Sequence, residues 1–544
     1  MRCLSTIARF MRVSFSIAPK QVLPRWRTRR SRLLGEVFQQ RRAIRGLAEF
    51  VQVPSLPAAG WLATITGGRV FVVCGEGVER TEQGVFEGCW DGPFEQFNID
   101  TAENVAGSGI RFHDDRIVLV SPSHTIEGLY VHERHDRFVI SNSLAFLLEH
   151  ESIQVPNDAA VCRRLATVVL GLNRYHQLLF DGPSGRVIRF VNATVNVDEG
   201  GLGLTLRSLP RRFADFAGYR DHLRDTISRI ADNGRSPFRN TRYELTTTVS
   251  SGYDSTACAA LARQSGCEVA LTLARGRSGR SDSGRPVAEA LGLAVHEVDQ
   301  GTHTARDDGS GPEEMFASGM GGEDISHHAF ERLLAGTILV TGFHGGTAWK
   351  RLASSDETMA RGDISGCSLV EFRLRVGFVH LPVPFIGALR QADIARISRS
   401  DEMRGFSVGG TYDRPIARRI AEEAGVPREL FGQQKQAVSV LAFLWPGTLP
   451  ESVRDELMTY VKDHATLPQR LANALWYTRF TLFRILRLGA RLARMQRALP
   501  WLEDAFLGDD YRVFEHTAPI ASELTFRWAL EKVRLRYTVA RNRP

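Results

Sequence analysis

The chain has 544 residues, of which 43% are hydrophobic and 24% charged, and it carries a formal net charge of +8. That length suffices for three or four domains with several cores, and no run of about 18 apolar residues argues for a membrane-spanning helix. The seven cysteines, at 3, 74, 89, 162, 258, 267 and 367, form no CxxC pair and have no His at zinc-finger spacing, so neither a zinc site nor a disulfide framework is expected and a reducing, cytoplasmic setting fits.

The positive charge belongs to the first segment. Residues 1–50 hold twelve Arg and Lys against only Glu36 and Glu49, a net +10, which leaves the remainder at −2. The cluster Arg25, Arg27, Arg29, Arg30 and Arg32 gives a basic arm, placed at 1–55, whose acid-poor composition is shared by transit peptides but which lacks the apolar core of a secretory signal. A solvated arm or an over-extended start is the plainer reading. Aromatic residues are not interleaved with these arginines, so no specific nucleic-acid partner is expected.

Residues 56–205 read as a sheet-rich domain. Short β-like runs occupy Trp61 to Thr66, Val70 to Val73, Arg116 to Val120, Arg137 to Ser141 and Val187 to Phe190, broken by Gly, Asp and Asn. Residues 206–450 alternate apolar strands with helical stretches, the pattern of a parallel α/β domain. From Pro450 onward, the region 451–544 is helical and again basic, with seven Arg and no acid between Ala465 and Leu502.

The stretch Tyr243-Glu-Leu-Thr-Thr-Thr-Val-Ser-Ser-Gly-Tyr-Asp-Ser-Thr-Ala-Cys-Ala-Ala-Leu-Ala-Arg263 carries the most chemistry. Its β-branched run ends at Val249, small residues follow, and helix formers begin near Ser255. A strand, tight loop and helix N-terminus present N–H groups and a positive dipole end to an anion, and Gly252 allows close approach of phosphate oxygens. Ser250 and Ser255 can donate hydroxyl hydrogen bonds there. Asp254 is out of place beside an anion unless a cation intervenes, and magnesium bridging it to a phosphate is the simplest resolution. The alternative is a plain helix cap, with Ser251 or Asp254 satisfying free N–H groups. No GxxxxGK[ST] occurs, so a Walker loop is not the explanation.

At these residues the sequence resembles the PP-loop, or N-type ATP pyrophosphatase, superfamily with its S-G-G-x-D-S motif, and most of all the synthetase domain of asparagine synthetase and its relatives. Leu271-Thr-Leu-Ala274, Ser281 to Gly292 and His296-Glu-Val are similar to the strand, helix and strand that follow. Gly322-Glu-Asp-Ile-Ser326 sits where that family has a short acidic turn, and Thr337 to Gly346 is similar to its later strand and Gly-rich loop, usually written S-G-x-G-x-D-E. Leu381-Pro-Val-Pro-Phe-Ile386, Tyr412-Asp-Arg-Pro-Ile-Ala-Arg-Arg and Gln434-Lys435-Gln-Ala resemble its later blocks, and Gly128 to Leu148 is similar to a block of its N-terminal glutaminase domain.

The resemblance implies an α/β fold: a PP-loop parallel-sheet domain over 206–450, preceded by an Ntn-type αββα sandwich over 56–205. It implies ATP and Mg2+ as cofactors, held by Ser250, Ser251, Gly252, Tyr253, Asp254 and Ser255, with Asp254 on the metal and Lys435 neutralising charge as pyrophosphate leaves. A solvent-exposed loop Lys is the alternative for Lys435. The implied reaction activates a carboxylate on a small molecule or peptide with ATP and forms an amide with ammonia or an amine. The competing expectation is a non-catalytic nucleotide-binding or scaffold protein of the same fold.

Departures from the family pattern are specific. The chain starts Met1-Arg2-Cys3, so the residue-2 cysteine of a family glutaminase is missing, and Cys74 and Cys89 read as core thiols. A glutaminase without activity is therefore expected. Ser251 replaces the first Gly, and Gly342-Phe-His-Gly-Gly-Thr347 lacks the acids of the second loop, for which Asp324, His344 or Asp282 are candidate substitutes. His380, Pro382 and Gly387 stand where the family has Glu, Arg and Asp.

Near the C-terminus, Arg484, Arg487, Arg491 and Arg494 recur along one helical face beside a stripe of Phe480, Phe483, Leu486 and Ala490. That pattern fits a helix peripheral to an anionic membrane, an acidic partner docking there, or a packed helix with a wet face.

Overall fold

The computed structural model describes residues 48–156, 160–198, 201–207, 209–276, 279–299, 311–410, 412–434, 448–492 and 519–540. Cys3, Lys435 and most of the basic arm lie outside the described residues. In the first half, the strands are β1 Ala48–Gln52, β2 Trp61–Thr66, β3 Arg69–Cys74, β4 Glu79–Thr81, β5 Gly84–Trp90, β6 Val105–Phe112, β7 Ile117–Val120, β8 Leu129–Glu133, β9 Phe138–Ser141, β10 Leu178–Gly182, β11 Gly185–Phe190, β12 Ala193–Asp198 and β13 Gly201–Leu206. They form a seven-stranded sheet, β1-β3-β2-β9-β8-β11-β10, and a six-stranded sheet, β13-β12-β7-β6-β5-β4. The boundary expected at residue 55 falls earlier, because Ala48 already pairs with Val70 in a parallel register.

The two sheets share one core, in which Trp61, Ala63 and Val72 of the first pack with Val85, Ile110 and Leu119 of the second. The helix Leu144–His150 buries Leu144, Phe146, Leu147 and Leu148 beside Leu62 and Val73 of the seven-stranded sheet. On the six-stranded sheet, Cys89 and Ala106 join the core of the helix Phe216–Arg235. Strand β5 is consequently buried at all seven positions. Gly88 and Gly107 pair across β5 and β6, each with positive φ, and a Cβ on either would sit about 2 Å from the opposite carbonyl oxygen, 2.1 and 2.0 Å respectively. Only glycine permits that approach.

The second half contains β14 Glu244–Thr248, β15 Val269–Leu273, β16 Ala294–Val298, β17 Thr337–Thr341 and β18 Val379–Pro382, in the order β16-β15-β14-β17-β18 and parallel throughout. Both faces of this sheet are covered. Leu245, Ile338 and Val340 pack with Ala257, Leu261 and Ile416 on one side, while Leu271 and Leu339 pack with Phe330, Leu334 and Phe372 on the other. Parallel strands covered on both faces are continuous apolar runs, which is the α/β pattern read from the sequence. The helix expected over Ser281–Gly292 forms only over Arg285–Ala290. Asp282 is tied to Ser251 and the Gly284 N–H donates to Thr272 Oγ1 at 2.8 Å, so the preceding residues serve a turn instead.

The C-terminal region is anchored to both halves. After the helices Glu451–His464 and Leu467–Leu492, residues 519–540 pack back into the body, and Trp528, Ala529, Val533 and Tyr537 are buried. The Tyr537 ring stacks on Phe146 at 4.6 Å, and its hydroxyl donates to Glu371 Oε2 at 2.8 Å, while Ser143 Oγ donates to Glu371 Oε1 at 2.6 Å. Arg534 pairs with Glu149, and Arg536 with Glu313 and Glu314. Among the described residues no helix is long and apolar enough to cross a membrane.

Candidate functional site

Strand order reverses between β14 and β17: the chain passes outward from β14 to β15 and β16, then returns to the other side for β17 and β18. In an open parallel sheet the loops after the two strands at such a reversal part and leave a crevice at their C-terminal ends. Here those loops are Val249–Gly252 and Gly342–Gly346. The first leads directly into the helix Tyr253–Gln264, which begins two residues before the position expected from helix formers alone.

The small residues of the first loop fold it onto itself. Ser250 Oγ and Ser255 Oγ lie 2.9 Å apart, the Ser250 N–H donates to Ser255 Oγ at 3.2 Å, and the Gly252 N–H donates to Ser250 Oγ at 3.1 Å. Gly252 is the N-cap residue and offers no side chain to its helix. Two hydroxyls and a dipole end thus converge where an anion gains most from them. Ser251 differs from its neighbours: its hydroxyl donates to Asp282 Oδ1 at 2.6 Å and its carbonyl accepts from Gly432 N–H at 2.7 Å, so it positions the loop. Tyr253 points into the core, with its hydroxyl bonded to Arg418, its ring edge-on to Phe431 at 5.8 Å, and 0% exposure. Its side chain supports the loop from beneath.

Asp254 is in the first helical turn with its side chain 23% exposed, and Arg414 Nε stands 3.8 Å from its Oδ1. The second loop closes on the same carboxylate. A Cβ on Gly345 would come within 2.8 Å of Asp254 Oδ1, and one on Gly342 within 2.8 Å of Ser255 N. Of the three candidate substitutes for the second-loop acids, Asp282 serves Ser251, and Asp324 accepts from Gly366 N–H and Ser368 Oγ, both at 2.7 Å. His344 lies flat on Phe385, with ring centroids 4.4 Å apart. Each therefore has a structural partner of its own. Among the described residues no cluster of three His, Cys, Asp or Glu could hold a metal on its own. Tyr412 and Arg414 border the loop as well, the Tyr412 hydroxyl 3.7 Å from where a Gly252 Cβ would stand and the Arg414 guanidinium 5.5 Å from the Tyr412 ring. Neither was assigned a role from the sequence, although the block Tyr412-Asp-Arg-Pro had pointed at them.

A second polar group gathers beside the ends of β17 and β18. His380 Nε2 is 2.9 Å from Thr341 Oγ1, and the rings of His124 and His380 lie 6.2 Å apart. The Ile126 N–H donates to His124 Nδ1 at 3.3 Å, which places the ring proton on Nε2. His124 Nε2, His344 Nδ1 and His380 Nδ1 are buried without a hydrogen-bond partner among the described residues. Burial, reinforced by Arg361, holds the His124 and His344 imidazoles down to about 3, and burial with His124 nearby holds His380 low as well. All three are neutral bases at physiological pH.

That arrangement has a measurable cost in acid. Unfolded His124 binds a proton near pH 6.5 while the folded ring stays neutral down to about 3, so the unfolded state binds more protons in this window and stability falls as pH falls. His124→Asn removes this proton uptake. Urea denaturation should show the variant regaining roughly 2 kcal/mol relative to wild type between about pH 7.5 and 5, and an unchanged difference across that range would refute a neutral buried His124.

In the first half, Cys74 and Cys89 are fully buried, and burial pushes both thiols up to about 11. Neither supplies an accessible thiolate. No protein-family model and no curated protein matches the chain.

Proposed function

We propose that this chain is a PP-loop synthetase of the asparagine synthetase-like kind, carrying a degenerate glutaminase-like αββα sandwich ahead of it. It uses ATP to activate a carboxylate, releasing AMP and pyrophosphate, and joins the acyl group to ammonia or an amine. The observation that carries this reading is the Ser250–Ser255 loop: two facing hydroxyls and a twelve-residue helix N-terminus at the strand-order reversal of an all-parallel sheet. Ser250 and Ser255 donate to phosphate oxygens, Gly252 lets the backbone approach them, and Ser251 fixes the loop through Asp282. Lys435, outside the described residues, takes the charge-neutralising role from the resemblance, and Arg414 supplies a buried guanidinium on the same side.

Magnesium fits this donor set through Asp254 alone, since the ion commonly takes one or two carboxylates and completes its shell with phosphate oxygens and water. Bound there, it would polarise the phosphates and draw negative charge off the departing pyrophosphate. The buried thiols of Cys74 and Cys89 support a nitrogen supply other than glutamine hydrolysis in the first half.

A non-catalytic nucleotide-binding protein is the second reading. It is favoured by the acid-free Gly342–Thr347 loop and by Arg414 standing where a second cation would compete for Asp254. Calorimetric titration with α,β-methylene ATP and magnesium, followed by product analysis with ATP and a panel of carboxylates and amines, separates the two. Binding with release of AMP and pyrophosphate supports the synthetase; ADP and phosphate as products would overturn the PP-loop assignment, and binding without turnover would favour the scaffold.

A further inference from the structure

The Gly432 N–H donates to the Ser251 carbonyl at 2.7 Å. That carbonyl and the Gly252 N–H belong to one peptide unit, which is planar and trans, so the two groups point in opposite directions. A bond that fixes the carbonyl therefore aims the N–H. Here the Gly252 N–H is directed to Ser250 Oγ at 3.1 Å, beside Ser255 Oγ, where the two hydroxyls and the helix N-terminus converge. Were this peptide to turn over, a carbonyl oxygen would take the place of the N–H and repel an anion. The ties from Ser251 to Asp282, through its N–H at 3.3 Å and its hydroxyl at 2.6 Å, lie on the other side of the Ser251 Cα and do not reach this peptide.

Only glycine can deliver that bond from position 432. Gly432 is buried with φ +68°, and a Cβ on it would come within 2.8 Å of three atoms of the Tyr253 ring. The ring has nowhere to withdraw: it is 0% exposed, its hydroxyl is bonded to Arg418, and Phe431 and Tyr412 pack against it at 5.8 and 4.9 Å. A side chain at 432 must lift the segment off the ring and draw its N–H away from Ser251. The next tie along the segment, Arg280 to Gln434 Oε1 at 3.4 Å, is exposed and holds no part of the loop. We propose that Gly432 is a positioning residue that locks the Ser251–Gly252 peptide with its N–H toward the anion site. The inference rests on the reading of the Ser250–Ser255 loop as a phosphate site.

The test compares the full wild-type chain with Gly432→Ala, using magnesium pyrophosphate as the probe. Calorimetry should show binding weakened about tenfold or more in the variant. Hydrogen exchange should show the Gly252 amide exchanging faster, while the amides of the central strand Thr337–Thr341 keep their wild-type rates. Equal pyrophosphate affinity would overturn the lock, and so would exchange raised throughout with a lowered thermal midpoint, the mark of a merely structural glycine. If the variant does not fold, the wild type decides alone. Saturating probe should then slow the Gly432 and Gly252 amides together, because an anion that needs the locked peptide stabilises it. A Gly432 amide indifferent to the probe would overturn the proposal. Absence of pyrophosphate binding by the wild type would instead overturn the phosphate reading itself.

Discussion

Arg373→Ala should cost the fold about 3–5 kcal/mol, because it strips the only described guanidinium from a buried pair of carboxylates. Arg373 is 2% exposed, grips Glu87 with both terminal nitrogens at 2.7 and 3.1 Å, and reaches Glu127 at 2.7 Å. Glu87 lies on β5 and Glu127 precedes β8, whereas Arg373 belongs to the helix Val370–Val376 of the second half, so the cluster ties the halves together. Burial raises the Glu127 carboxyl to about 7 even with Arg373 beside it. Without the arginine the Glu127 carboxyl holds its proton to still higher pH in the folded state than in the unfolded chain, so the variant's stability is lost as pH rises through and above about 4.5. Urea denaturation should therefore show a larger deficit near pH 8 than near pH 5. Arg373→Lys keeps the charge without the planar fork and should fall between. A midpoint for Arg373→Ala within about 0.5 kcal/mol of wild type would show that the cluster does not hold the halves.

Asp254→Asn should leave a folded protein that has lost turnover. The side chain is partly exposed and its replacement keeps the shape, so the thermal midpoint should barely move, while pyrophosphate release falls about 10²–10³-fold. Lys435→Ala should lower the chemical step more than nucleotide affinity, because its charge matters most as pyrophosphate departs. Rates and thermal stability measured side by side decide the matter. Two stable and fully active variants would remove catalysis from this loop.

The parallel half was legible because its strands are covered on both faces. Thr337–Thr341 is buried at every position and reads as an unbroken run of β-branched and apolar residues, and the Ser-Ser-Gly turn after β14 announces a loop. Strand β5 was missed for the opposite reason: Gly84, Gly88 and Glu87 break its pattern, yet the glycines allow backbone contact and the glutamate meets an arginine 286 residues away. No local rule signals a charge whose partner is that distant. The cluster of His124, His344 and His380 escaped in the same way, each being a lone histidine until β17, β18 and the loop before β8 bring them together. The helix Leu467–Leu492 was legible as a helix, but two apolar stripes side by side do not say which one the protein covers.

The contact between Tyr537 and Glu371 also sets an order in time. Glu371 leaves the ribosome 166 residues ahead of its partner, and at roughly 5–20 residues per second that is a wait on the order of ten to thirty seconds. Through this interval a carboxyl that ends up fully buried keeps Ser143 as one partner and lacks the other, and Phe146 faces the nascent chain without the ring that stacks on it. The two halves can form early, but the seam between them stays unsealed until Thr525–Ala540 arrives. A ribosome that stalls after Pro450 therefore yields a nearly complete body with an open apolar groove, the form of nascent protein that chaperones hold and proteases remove.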